Sequence, residues 1–188
     1  VMAIKIFIDQ GHNPQNPNAG AEAGGAREQD INFDIGIRLA ALLESDPNFE
    51  VKVSRPTEET SLGTSNASSL AARVNAANTW GADYFSSLHC NASVNTSASG
   101  TEAYAYSTDS QGFALGQAII ENISRIVGIP NRGAFARPSL YVLRRTAMPA
   151  VLIEMAYITN ETDRNLLTNS PDLFAEAIYQ GILQYFGL

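Results

Sequence analysis

Histidine occurs only twice in this chain, as His12 and His89, and each directly follows a short β-like run, IKIFIDQGH near the N-terminus and YFSSLHCNA near the middle. A third such run, AVLIEMA, carries Glu154 toward its end, and Glu28 opens the first long helical pattern. Neutral imidazole and carboxylate are the ligands of a hydrolytic zinc centre, so four such groups at element ends point to metal-assisted hydrolysis. The single cysteine, Cys90, excludes an internal disulfide and a Cys-rich zinc site. Each residue also has a plainer role. A lone histidine at a strand end is commonly a hydrogen-bonded structural residue, and Glu28 alone is a first-turn acid favoured by the helix dipole. Glu154, inside an apolar strand, fits the plain reading less well, because a buried carboxylate must be paired or functional.

The elements that must position these groups alternate between strand and helix patterns. Ile4 to Asp9 reads as a buried strand, and Gln10 to Arg27 as a loop rich in Gly, Asn and Pro. From Glu28 to Glu44 the residues Ile31, Ile35, Leu39 and Leu42 recur at helical spacing until Ser45-Asp46-Pro47 stops the run. A strand is expected over Phe49 to Ser54, a polar loop over Thr57 to Asn66, and a helix over Ser69 to Thr79. Tyr84 to His89 and Thr101 to Tyr106 read as strands, and Gln111 to Val127 as a helix closed by Gly128 and Pro130. Leu140 to Leu143 and Ala150 to Met155 read as short strands, and Pro171 to Phe186 as a helix with Pro in its first turn. This order predicts an α/β fold: a three-layer sandwich with a mostly parallel, about six-stranded twisted sheet flanked by about five helices. In such sheets ligands gather beyond the carboxyl ends of parallel strands, where His12, Glu28, His89 and Glu154 all reach one rim.

A chain of 188 residues fits one domain with a substantial core. Twelve basic against nineteen acidic side chains give a net charge of -7, with no Lys or Arg run, which argues against nucleic acid and against attraction to an anionic membrane. No apolar run approaches the roughly 18 residues of a membrane span. The start, Val1-Met2-Ala3, lacks a signal-peptide pattern and runs straight into a strand, as at the edge of a piece cut from a longer exported chain.

The segments FIDQGHNPQNPNAGA, GGAREQDINFDIGIRLAALLE, SLAARVNAANTWGADYFSSLHCNAS, GTEAYAYS and RPSLYVLRRTAMPAVLIEMAYITNETD, in this order over nearly the whole chain, resemble the catalytic domain of the zinc-dependent N-acetylmuramoyl-L-alanine amidases, the type-3 amidase family. The resemblance implies that residues 1–188 are a single amidase catalytic domain, and that His12, Glu28 and His89 hold one Zn2+ with Glu154 as the catalytic carboxylate. Gln10 stands where Pro is common and Asn13 where the family often has Gly, and neither departure removes a ligand. The reaction implied is hydrolysis of the amide between N-acetylmuramic acid and L-alanine of peptidoglycan, with zinc-activated water and Glu154 as general base, then acid. It also implies a bacterial cell-wall autolysin that is secreted or held in the cell envelope, a monomer acting on peptidoglycan.

Softer assignments surround this set. Asp9 either orients His12 or caps the turn after its strand. Asn91 binds substrate or holds the His89 loop by an Asx turn. Arg55 pairs with a peptide carboxylate or with a neighbouring acid, Glu102 lines the groove or is solvated, and Arg144 or Arg145 meets a substrate carboxylate. Cys90 reads as a small buried packing residue. Some division-related relatives carry a long insertion after the strand matching Thr101 to Tyr106 that covers the zinc. Here only Ser107 to Gln111 follows, which predicts an open groove and constitutive activity. Two other functions fit the same residues less well: a zinc carboxypeptidase on wall peptides, disfavoured by the separation of His12 from Glu28, and a non-catalytic peptidoglycan-binding module.

Overall fold

In the computed structural model, which describes residues 2–188, six strands form one sheet: β1 (Ile4–Gln10), β4 (Phe49–Val53), β5 (Tyr84–Asn91), β6 (Thr101–Ala105), β7 (Asn131–Ala136) and β8 (Ala150–Tyr157). Their order is β4-β1-β5-β8-β6-β7. The first four in that order run parallel; β6 is antiparallel to β8 and parallel to β7. A two-residue hairpin, β2 (Glu22–Ala23) with β3 (Ala26–Arg27), lies in the loop before the first helix.

Alternation along the strands splits the core in two. Ile6, Ile8, Leu88, Val151, Ile153 and Ala103 face three helices, α1 (Glu28–Glu44), α3 (Gln111–Val127) and α6 (Pro171–Phe186). Phe7, Phe85, Ala150 and Leu152 face the opposite layer, where Val74 and Ala77 of α2 (Asn66–Trp80) pack with Val142 and Leu143 of α4 (Tyr141–Arg144). This second layer is thinner. It leaves Phe135 of β7 46% exposed and Tyr104 of β6 half-buried, so the sheet face at that end is open.

The helices α1, α3 and α6 have the bounds that periodicity predicts. Helix α2 starts earlier than its apolar stripe, because Ser65 and Ser68 form a reciprocal capping box ahead of it. Leu140 to Leu143 is a correction: the segment is not a strand but the single turn α4 with Leu140 as its N-cap. A four-residue apolar run fits either state, and burial of Val142 and Leu143 against the sheet decides for the helix. The sixth strand is instead β7, whose Asn-Arg-Gly-Ala-Phe-Ala sequence has no apolar alternation because it is a mostly exposed edge. The helix α5 (Glu161–Asn169), capped by the Asn160 side chain, was also outside the expected set.

Candidate metal centre

Two strand ends and one helix start converge on a single point. His12 lies just past β1, Glu28 is the first residue of α1, and His89 lies in β5. One ligand atom from each lies within 4.8 Å of the others. His12 Nε2 is 3.3 Å from Glu28 Oε1, and His89 Nδ1 is 3.3 Å from Glu28 Oε2. Each oxygen of Glu28 also accepts a backbone N–H, from Ala21 at 3.0 Å and from Cys90 at 2.9 Å, which fixes the plane of the carboxylate.

The ring nitrogens that point away are equally committed. His12 Nδ1 lies 3.3 Å from the Asn18 carbonyl and 3.2 Å from its Oδ1, two acceptors that place the proton on Nδ1 and leave Nε2 bare. His89 Nε2 lies 3.0 Å from Ser87 Oγ, which donates to Asp9 Oδ2 at 2.6 Å. That relay puts the His89 proton on Nε2 and turns the lone pair of Nδ1 toward Glu28. Asp9 is anchored in turn by Arg73 at 2.8 Å, both side chains almost fully buried. The expected link from Asp9 to His12 is therefore corrected: Asp9 acts on His89 through Ser87, and Asn18 holds His12.

Backbone conformation serves the same end. His12 and Asn18 both have positive φ, 70° and 69°, a strained state for residues with a side chain. Buried Asn13 holds the loop between them, donating to the carbonyls of Pro17 and Leu62 and accepting from Leu62 N and Arg73. Gly11 is needed for a different reason. A Cβ there would overlap the His89 ring.

Glu154 is the direct register partner of His89 across the parallel β5/β8 pair. Its Oε2 is buried without any hydrogen-bond partner. Burial, then the charges of Glu28 and Glu102, push its carboxyl up to about 8, against the opposing pull of Arg137. The pKa of Glu28 moves down: burial alone raises it, and the hydrogen bonds and charges of the two histidines outweigh burial. His12 is raised, because Glu28 outweighs the lowering effect of burial. Two bare imidazole nitrogens, a fixed carboxylate and a buried carboxylate oxygen lacking a partner form a donor set that fits a divalent cation of the zinc type.

The remaining expected residues divide. Glu102 is buried beside Glu154, accepts from Tyr104 at 2.7 Å and from Asn91, and lies 3.7 Å from Arg132. It is not solvated. The Asn91 side chain is occupied by Glu102 and by the N–H of Ala92. Arg55 is corrected: it is fully buried and donates to the carbonyls of Gln29 and Glu58, so no substrate carboxylate reaches it. Arg144 is exposed on α4, beside Leu140 and Tyr141, which wall an apolar cavity of about 140 Å³ next to both histidines. Cys90 is buried.

Asn18, Ser87 and Arg73 were missed in the sequence. Ser87 is two residues before His89 on the same strand face, and Arg73 interrupts the apolar stripe of Leu70, Val74 and Ala77, so both left a periodic signal. Asn18 left none, because its loop has no period.

Fold and site together define a class, the α/β proteins with a His-Glu-His metal-binding geometry at the carboxyl rim of a mostly parallel sheet. The family described as N-acetylmuramoyl-L-alanine amidase matches residues 6–184, and the chain belongs to that family. The N-acetylmuramoyl-L-alanine amidase CwlM of Bacillus licheniformis is 36% identical over 180 residues, covering 95% of this chain and 65% of that protein. The amidase LytC of Bacillus subtilis is 34% identical over 193 residues, covering 99% of this chain and 36% of that protein. The chain thus spans less than two thirds of these two relatives. The crystal structure of an N-acetylmuramoyl-L-alanine amidase from Clostridium difficile 630 superposes with a TM-score of 0.87 at 32% identity, covering 98% of this chain and 97% of that one.

Proposed function

We propose that this chain is the catalytic unit of a peptidoglycan amidase, hydrolysing the amide between the lactyl group of N-acetylmuramic acid and L-alanine. The observation that carries this reading is the meeting of His12, Glu28 and His89 beside the unpartnered oxygen of Glu154. His12 Nε2, His89 Nδ1 and Glu28 would hold one Zn2+. When bound, zinc supplies Lewis-acid polarisation and makes water acidic enough to attack near neutral pH.

The chain's own residues supply the rest. Glu154, as carboxylate, takes the proton of the attacking water and delivers it to the departing alanine nitrogen, so no covalent acyl-enzyme is needed. Asp9 and Ser87 keep His89 in the tautomer that can bind metal, and Asn18 does so for His12. Residues 106–110 join β6 to α3. The side chains of His12 and His89 keep 22% and 17% exposure. This supports an open groove and activity without an activator protein.

The proposed setting is the cell wall, outside the membrane, with the chain acting as a monomeric domain of a longer exported protein. Among the described residues no helix is long and apolar enough to cross a membrane. Digestion of purified peptidoglycan tests the reading. New L-alanine N-termini support it, shortened stem peptides support a carboxypeptidase, and binding without new ends supports a silent module.

A further inference from the structure

The stretch from Asn122 to Ile153 contains no acidic residue and five of the twelve basic ones, Arg125, Arg132, Arg137, Arg144 and Arg145, in a chain that is otherwise acidic. Most of these guanidinium groups have local partners. Arg125 donates to Asn122, Arg132 lies near Glu102, and Arg144 donates to the Ser139 carbonyl. Arg137 differs. Its guanidinium carbon sits 4.7 Å from the centre of the Tyr104 ring, and among the described residues its side chain has no hydrogen bond or ion pair.

Its position is nevertheless defined. The Arg137 N–H donates to the Ala105 carbonyl at 2.8 Å, and its own carbonyl accepts from Leu140. Tyr104 is held by its hydroxyl on Glu102, which pairs across the ladder with Glu154. The positive charge of Arg137 is felt at Glu154, where it opposes the neighbouring acids. Glu154, Glu102, Tyr104 and Arg137 therefore form one line on the sheet face that α2 and α4 leave open. Glu102 and Tyr104 are two residues apart on one face of β6, so Tyr104 and the Arg137 seated on it lie further along that face from Glu154 than Glu102 does.

We propose that Arg137, seated on Tyr104, receives the carboxylate of the second residue of the stem peptide and makes the site prefer a free acid there over a carboxamide. A guanidinium on an aromatic face keeps its in-plane donors free for a bidentate carboxylate. A neutral carboxamide offers one oxygen and no charge. The exposed Phe135 ring, 6.2 Å from Tyr104, extends the same face with an apolar contact for the peptide.

This inference rests on the amidase reading, and the test separates the two. Two soluble muropeptides, identical except for a free carboxylate or a carboxamide on the second residue, are given to the zinc-loaded protein, to Arg137→Ala and to Arg137→Lys. The wild type is expected to prefer the acid in kcat/KM. Arg137→Ala should reduce that preference by about tenfold or more, mainly through KM, and Arg137→Lys should restore part of it. Zinc content and melting temperature should stay at wild-type values. Equal losses on both substrates, or an unchanged ratio, would overturn the assignment. Equilibrium binding of the same pair is measured alongside. If neither muropeptide is cleaved but acid-selective binding disappears in Arg137→Ala, the amidase reading fails and the role of Arg137 stands. If binding shows no selectivity, the role falls whatever the activity.

Discussion

Glu102 and Glu154 are direct partners across the antiparallel β6/β8 ladder, so two carboxylates share one face beside the metal-binding cluster. Like charges at that spacing disfavour joint ionisation. In the metal-free protein burial, Glu28 and Glu102 hold Glu154 up to about 8, and bound zinc would lower that value. The proposed general base must be ionised, so turnover should fall as pH drops through the pKa that Glu154 has in the zinc-loaded protein. Glu102→Gln removes one negative neighbour and should move the acid limb of kcat to lower pH, by roughly one unit. A limb that stays in place or moves upward would contradict this.

The same shift has a stability consequence in metal-free protein. For Glu154 the folded pKa exceeds the ordinary 4.5, so its contribution is fully present below that value and is lost as pH rises through about 8. Glu28 and Asp9 act oppositely, because their folded pKa values are depressed: their contribution is present above the ordinary 4.5 and 3.8 and is lost as pH falls below these. Thermal melts of the apo-protein should show both limbs, and Glu154→Gln should shrink the alkaline one, leaving the part that the raised pKa of His12 supplies, with the acid limb unchanged.

Glu154→Gln keeps the side-chain shape but cannot accept the proton of water. Turnover should fall about 10² to 10⁴-fold while zinc content is retained. Near-normal turnover with full zinc would assign the proton transfer to another group.

Ser87→Ala breaks the link between Asp9 and His89 without touching a ligand. Zinc affinity should fall by about 10 to 100-fold, read by competition with a chromophoric chelator, with the fold retained. Unchanged affinity would mean that the relay does not orient His89.

Removal of zinc by a chelator should abolish hydrolysis and lower the melting temperature, and added zinc should restore both. At a free metal concentration 1,000 times Kd the stabilisation is about 4 kcal/mol. A melting temperature indifferent to zinc would argue against the cluster as a metal site.

Arg55→Ala separates packing from substrate binding. Its guanidinium satisfies two carbonyls in a buried position, and burial draws its pKa down to about 10. The variant should lose about 1 to 3 kcal/mol of stability by denaturant titration, with KM of the folded fraction unchanged. A raised KM at unchanged stability would return Arg55 to the groove.

Much of this protein is written in its periodicities. The apolar spacing of Ile31, Ile35 and Leu39 marks α1, and the β-like runs ending near His12, His89 and Glu154 mark the strands that carry them. These signals are legible because burial of one face depends on spacing alone. The residue types of the metal-binding set were legible for the same reason, since scarce histidines at strand ends stand out from a surface background. What the sequence did not contain was partnership. Asp9 is adjacent in sequence to the His12 loop, yet it serves His89, because β1 and β5 are neighbours in the sheet and Ser87 lies between them. Arg55 is buried because the start of α1 and its own loop close over it through the carbonyls of Gln29 and Glu58, while Arg137 stands free on Tyr104 where the helices leave the sheet face uncovered. Local spacing determined the elements and the candidate ligands; hydrogen-bond partners and exposure were decided only when strands remote in sequence became adjacent.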